Sequence, residues 1–194
     1  KRQKMMQAFI YSLLRMMILV KNIIKDGKNS SGLYASKAVI KMGRFDRYFL
    51  MECNDIVEYV LQKYEIFAED AELSVEEIGD GNLNYVFRVQ DEKNGASVIL
   101  KHSGIETRAK SGRHVDTDRN RIEAEILMLQ DKYVSGYVPR VYGYDPVMCC
   151  MVMEDLKNYE VMRGALLKFS IYPFFADQIT TYMVNCLLAT TDIV

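Results

Sequence analysis

LSVEEIGDGNLNYVFRVQDEKNGASVILK, Leu73 to Lys101, divides into three apolar runs separated by two turn segments. Leu73, Val75 and Ile78 precede Gly79-Asp80-Gly81-Asn82-Leu83-Asn84, and Tyr85, Val86, Phe87 and Val89 follow it. Asp91 to Gly95 makes the second turn, after which Val98-Ile99-Leu100 ends on Lys101. Short runs of β-branched and aromatic residues bounded by Gly, Asn and Asp predict strands joined by tight turns. Gly79 and Gly81 permit close backbone approach, and Asn82 and Asn84 add neutral amide donors, so the first turn can cradle phosphate oxygens. Asp-Gly alone signals only a hairpin, and a lysine at a strand end can simply be a charge that guards a sheet edge. The setting has to decide between these readings.

The segments around this stretch supply that setting. Glu52 to Tyr64 carries Ile56, Val57, Val60, Leu61 and Tyr64 at helical spacing, with Asn54 or Asp55 as the N-cap, and is expected to pack on the sheet. His102 to Val115 is polar and basic and reads as a loop. A helix begins near Asp116-Thr117-Asp118, where acids suit the helix dipole and Asp116 can cap, and Gly136 ends it. Its apolar stripe is Ile122, Ile126 and Leu129, with Leu127 beside it. On a helical wheel Glu123 lies about 60° from the centre of that stripe and Glu125 about 100°. Glu123 is therefore the better placed of the two to face the sheet, although either acid could be solvated. Val138 to Tyr142 and Met148 to Met153 read as two further strands around a turn at Asp145-Pro146. Glu154-Asp155-Leu156 leaves the last strand, either as a plain acidic loop or as a connector offering free backbone groups to a purine. A final helix is expected over Phe174 to Ala189.

Composition limits the partners. Of the 25 Lys/Arg in 194 residues, nine lie in residues 1–41 beside the single acid Asp26, and the remaining 16 face 25 Asp/Glu. An acidic main body argues against a nucleic-acid partner, because phosphate backbones need clustered cations. Residues 1–41 read as a basic, apolar extension and linker outside the main domain. Lys1 to Lys25 has helical character but falls short of an uninterrupted membrane span, with Arg15 near its middle. An upstream-translated leader, a packed extra helix and a membrane anchor or signal are the three readings of that segment. Cys53, Cys149, Cys150 and Cys186 show no CxxC spacing and read as free thiols in a reducing compartment. With only His102 and His114, a zinc site is not expected.

Strand, strand, strand, helix, strand, strand and an acidic exit is the order of a protein-kinase-like N-terminal lobe. EIGDGNLNYVFRV, the lysine of VILK, DRNRIEAE, VPRVY and VMEDL resemble the N-terminal lobe of the 5-methylthioribose kinase family over about Glu52 to Asp192. The resemblance implies an α+β fold: a five-stranded antiparallel sheet with one αC-type helix against it, over residues 42–156. Residues 157–194 would then be the hinge exit and the first helix of a C-terminal lobe. It also implies transfer of the ATP γ-phosphoryl to the 1-hydroxyl of S-methyl-5-thioribose, with Mg²⁺, in methionine salvage, by a cytoplasmic homodimer. Carried over residue by residue, the ATP contacts fall on Asn84, Lys101, Glu154, Asp155 and Leu156, with Gly79, Gly81 and Asn82 in the phosphate loop and Glu123 paired with Lys101. The family's catalytic His-Gly-Asp is missing, since Ser103 and Val115 follow the two histidines, and no metal-binding Asp-x-Glu can therefore follow such a loop. No catalytic or metal residue is therefore assigned, and the chain is expected to be a lobe cut before its catalyst and inactive alone. A related aminoglycoside, choline or homoserine kinase, or a non-catalytic nucleotide-binding or membrane-tethered module, are the rival readings.

Overall fold

The computed structural model describes residues 43–78, 83–106 and 115–191. The helix and linker expected within residues 1–41, and Gly79, Gly81 and Asn82, lie outside the described residues. The architecture is α+β: one five-stranded antiparallel sheet with helices on both faces. The strands are β1 (Leu73–Glu77), β2 (Asn84–Asp91), β3 (Ser97–Ser103), β4 (Val141–Asp145) and β5 (Cys150–Glu154), in the order β1-β2-β3-β5-β4. The helices are α1 (Cys53–Lys63), α2 (Asp118–Tyr133), α3 (Met162–Leu167) and α4 (Phe175–Met183), the last continuing into a π-helical turn at Val184–Leu188.

The period of two along β3, the middle strand, assigns the two faces. Val98 and Leu100 join Phe87, Val89, Cys150 and Val152 beneath α1, whose Ile56, Tyr59 and Val60 fill that side with Phe45 and Met51. Ile99 joins Met151 and Met153 on the other side, against Ala124 and Leu127 of α2 and Tyr182 and Cys186 of the C-terminal helix. The sheet is thus sandwiched. The Glu52–Tyr64 segment packs on it as expected, covering one face as α1, and the C-terminal helix joins α2 on the other. Tyr137, in the loop after α2, stacks on Tyr182 with ring centroids 6.3 Å apart, which attaches α4 to that loop.

Several boundaries moved for identifiable reasons. Lys101 does not end β3, since His102 and Ser103 continue it by pairing with Tyr85 and Asn84, so the expected loop starts later. β4 and β5 start two or three residues after their expected positions, and the pair is irregular between Val141 and Gly143. Pro139 has no N–H to give a ladder, which keeps the strand from starting there. A Cβ on Gly143 would come within 2.9 Å of the Tyr64 ring, so the irregularity sits where α1's last turn lies against the sheet. The turn at Asp145-Pro146 forms, its Asp145 carboxylate accepting the N–H groups of Val147 and Met148 at 2.8 and 3.1 Å. Asp55 is not the N-cap of α1; Glu52 is, and Asp55 accepts its N–H at 2.8 Å from one turn in. Thr117 precedes α2, while Asp116 accepts the Asp118 N–H at 2.8 Å. The short helix α3 was not expected.

Candidate functional site

On the α2 side of the sheet, β3 presents Lys101 and α2 presents Glu123. Both side chains are buried, and the ammonium donates to Glu123 Oε2. Two opposite charges out of water are tolerated together because each cancels the other's desolvation cost, and neither would be tolerated alone. The helical-wheel argument chose the right acid from a displaced stripe. The buried face of α2 is Arg119, Asn120, Glu123, Ala124, Leu127 and Gln130, whereas Leu129 is exposed and Ile122 and Ile126 are half-buried. Glu123 lies near the middle of that face, and Glu125 points outward to Arg121 at 2.7 Å.

The polar residues of that face tie the site together. Asn120 donates to the Lys101 carbonyl at 3.0 Å and to the Cys149 carbonyl at 3.4 Å, and its own carbonyl accepts from the Asn84 amide at 2.9 Å. Arg119 Nε donates to Asn84 Oδ1 at 2.9 Å, and its remaining N–H groups reach the carbonyls of Leu83, Gly104 and Asp116. Burial lowers the Arg119 pKa from its ordinary value, and among the described residues no carboxylate forms a salt bridge with it. The Asn84 side chain, expected to meet phosphate, is therefore committed to α2 through both its amide nitrogen and its oxygen. Arg119 and Asn120 were not singled out in the sequence. The signal was available, since Asn120, Glu123, Ala124 and Leu127 recur at helical spacing on one face, but a search for apolar stripes passes over it.

At the other end of the same face, β5 runs out into the connector. Val98 pairs with Glu154 and Lys101 with Met151, so the lysine lies three residues along β3 from the connector, roughly 10 Å. Glu154 is held by its backbone, donating to the Arg140 carbonyl at 2.8 Å, while its carboxylate accepts the Arg140 N–H at 3.2 Å. The Asp155 carboxylate is buried and accepts from Arg88 Nε at 2.8 Å, Arg88 Nη2 at 3.4 Å and Ser97 Oγ at 2.8 Å. Leu156 is half-buried, and its carbonyl accepts the Tyr159 N–H at 2.9 Å. The structure thus brings Asn84, Lys101 and Glu123 together at one end of the face and Glu154, Asp155 and Leu156 at the other. Among the described residues no group of three His, Cys, Asp or Glu side chains could hold a metal ion, and no helix is long and apolar enough to cross a membrane.

Comparison with known proteins gives this geometry a context. The chain is 33% identical over 147 residues to a methylthioribose kinase of Cronobacter sakazakii, covering 75% of this chain and 37% of that protein. It is 36% identical over 146 residues to the one of Pectobacterium carotovorum, covering 75% of this chain and 36% of the relative. For the Yersinia enterocolitica methylthioribose kinase the identity is 35% over 147 residues, 75% of this chain and 37% of the relative. The chain therefore spans a little over a third of the length of the curated relatives it matches. No protein-family model matches it.

Proposed function

Because the chain belongs to the methylthioribose kinase family, we propose that its sheet and α2 form the ATP-binding, kinase-like N-terminal lobe of an enzyme that phosphorylates S-methyl-5-thioribose on its 1-hydroxyl. The observation that carries this reading is the buried Lys101–Glu123 pair, set on the same sheet face as the connector and roughly 10 Å along the strand from it. That separation suits a nucleotide whose base meets the connector and whose phosphates meet the lysine. Glu123 holds the ammonium on the middle strand of the sheet, so no reorientation is needed when an anion arrives. Glu154 and Leu156 offer backbone groups to the purine edge. Asn84, with its side chain held by Arg119 and Asn120, fixes the start of β2.

In phosphoryl transfer of this kind the protein acts mostly by alignment and charge neutralisation at the phosphates. This lobe supplies the alignment. No residue of this chain is assigned to Mg²⁺. Nor does the sequence contain a His-Gly-Asp from which a base could accept the sugar hydroxyl proton. The lobe binds, and a separate set of residues has to catalyse, in a cytoplasmic enzyme of methionine salvage. Titration calorimetry of the 194-residue chain with ATP is expected to show saturable binding that Lys101→Met weakens at least about tenfold, or about 1.4 kcal/mol. The same chain is expected to form no phosphorylated methylthioribose. ATP binding unaffected by Lys101→Met would remove the proposal.

A further inference from the structure

Asp155 stands in the connector where the nucleotide reading puts an ATP contact, yet its carboxylate is unavailable to a ligand. Its side chain is only 2% exposed. Three donors already meet it: Arg88 Nε at 2.8 Å, Arg88 Nη2 at 3.4 Å and Ser97 Oγ at 2.8 Å. A bidentate guanidinium–carboxylate pair is directional and among the stronger hydrogen-bonded pairs, so a ligand amine would have to break it to enter. The partners come from β2 and from the first residue of β3. The next charged residue of the connector repeats the arrangement, with Lys157 Nζ donating to the Gly95 carbonyl at 2.7 Å and to Gln90 Oε1 at 3.2 Å. Two side chains of the connector are thus fastened to the β2–β3 hairpin, on strands that also carry Asn84 and Lys101.

We propose that Arg88 and Ser97 are positioning residues for base recognition: through the Asp155 carboxylate they fix the connector backbone so that its N–H and C=O groups meet an adenine edge and not a guanine edge. The proposal rests on the nucleotide reading above and adds to it the determinant of base specificity. Adenine and guanine differ in where their edges donate and accept, so discrimination needs a connector backbone held in one orientation. Holding it from β2 and β3 places base recognition and phosphate binding on one rigid unit. Arg88 touches no ligand atom in this scheme, since Asp155 stands between.

The test is titration calorimetry of the 194-residue chain with ATP, GTP and inorganic tripolyphosphate, for wild type, Arg88→Met, Arg88→Lys and Ser97→Ala. Wild type is expected to prefer ATP over GTP. Arg88→Met is expected to lose about tenfold in ATP affinity, bringing it near that of GTP, with tripolyphosphate affinity unchanged. Arg88→Lys should recover part of the preference, because an ammonium keeps the charge and loses the bidentate geometry. Ser97→Ala removes a single hydroxyl and should shift the ATP:GTP ratio in the same direction should Arg88→Met fail to fold. A wild-type ATP:GTP ratio in folded Arg88→Met and in Ser97→Ala overturns the proposal. An equal loss for all three ligands also overturns it, because that is what general destabilisation produces. A wild-type chain that binds ATP no better than tripolyphosphate overturns the nucleotide reading itself, and the two failures are told apart by the wild-type titrations.

Discussion

Lys101 and Glu123 were legible as a pair because the family resemblance couples them and the helical wheel turns Glu123, more than Glu125, toward the sheet. Removing one partner takes from a buried charge the counter-charge that the pair supplies. Glu123→Ala is therefore expected to cost about 3–5 kcal/mol, while the double replacement Lys101→Met with Glu123→Leu should be near neutral. Urea titration of the three chains checks this, and a double variant as unstable as the single would show that the charge is not what matters. His102, the next residue, faces the opposite side of the sheet and is fully buried beside the Tyr48 ring, 5.6 Å between centroids, in register with Cys150. Burial pushes its imidazole down to about 4, against roughly 6.5 in an unfolded chain. The unfolded state takes up the proton first, so this residue costs no stability above about pH 6.5. Stability then falls as pH drops from there toward 4 and levels off below it. At pH 5 the loss is about 2 kcal/mol. Denaturation midpoints at pH 7 and pH 5 should show a smaller difference in His102→Leu than in wild type, and an equal difference would exclude His102 as its source.

Among the expected elements, α2 was the one whose buried face was least well read. Its position and its glutamate were clear from the sequence, but four of the six residues on the face it buries are polar, so the apolar stripe was displaced from that face. Tertiary hydrogen bonds, invisible to periodicity, decide its orientation. Asn120 is fully buried and serves three partners. Asn120→Ala is expected to destabilise by about 2–3 kcal/mol, since it strands buried carbonyl and amide groups; thermal or chemical denaturation reads this directly. The strands were legible from alternation, and their ends were not, because proline and the Gly143 irregularity shift β4 without changing the apolar count. The turn after α3 offers the opposite case. Phe169 is 90% exposed at a φ of 56°. A non-glycine residue there is strained and this one gains nothing from burial, so Phe169→Gly should raise stability by about 1 kcal/mol. A lower melting temperature in that variant would contradict the strain argument.

For the whole molecule, order and composition identified the fold class, and the two-sided covering did not emerge. Apolar runs such as Val98-Ile99-Leu100 signal burial on both faces, but which helix takes which face depends on contacts such as Tyr137 with Tyr182 that no local pattern encodes. Arg88, Ser97, Arg119 and Asn120 were missed for the same reason: each is an ordinary polar residue until the strands and α2 are brought together. Sheet order has a kinetic meaning as well. Lys101 lies on the middle strand, flanked by β2 and β5, with Leu100 buried in one cluster and Ile99 in the other. A slip of one residue would exchange those two side chains between faces and put His102 where the ammonium belongs. No partial opening can move the lysine while leaving both clusters intact. Its amide is expected to exchange with deuterium only through global unfolding, so the lysine keeps its place for as long as the domain stays folded.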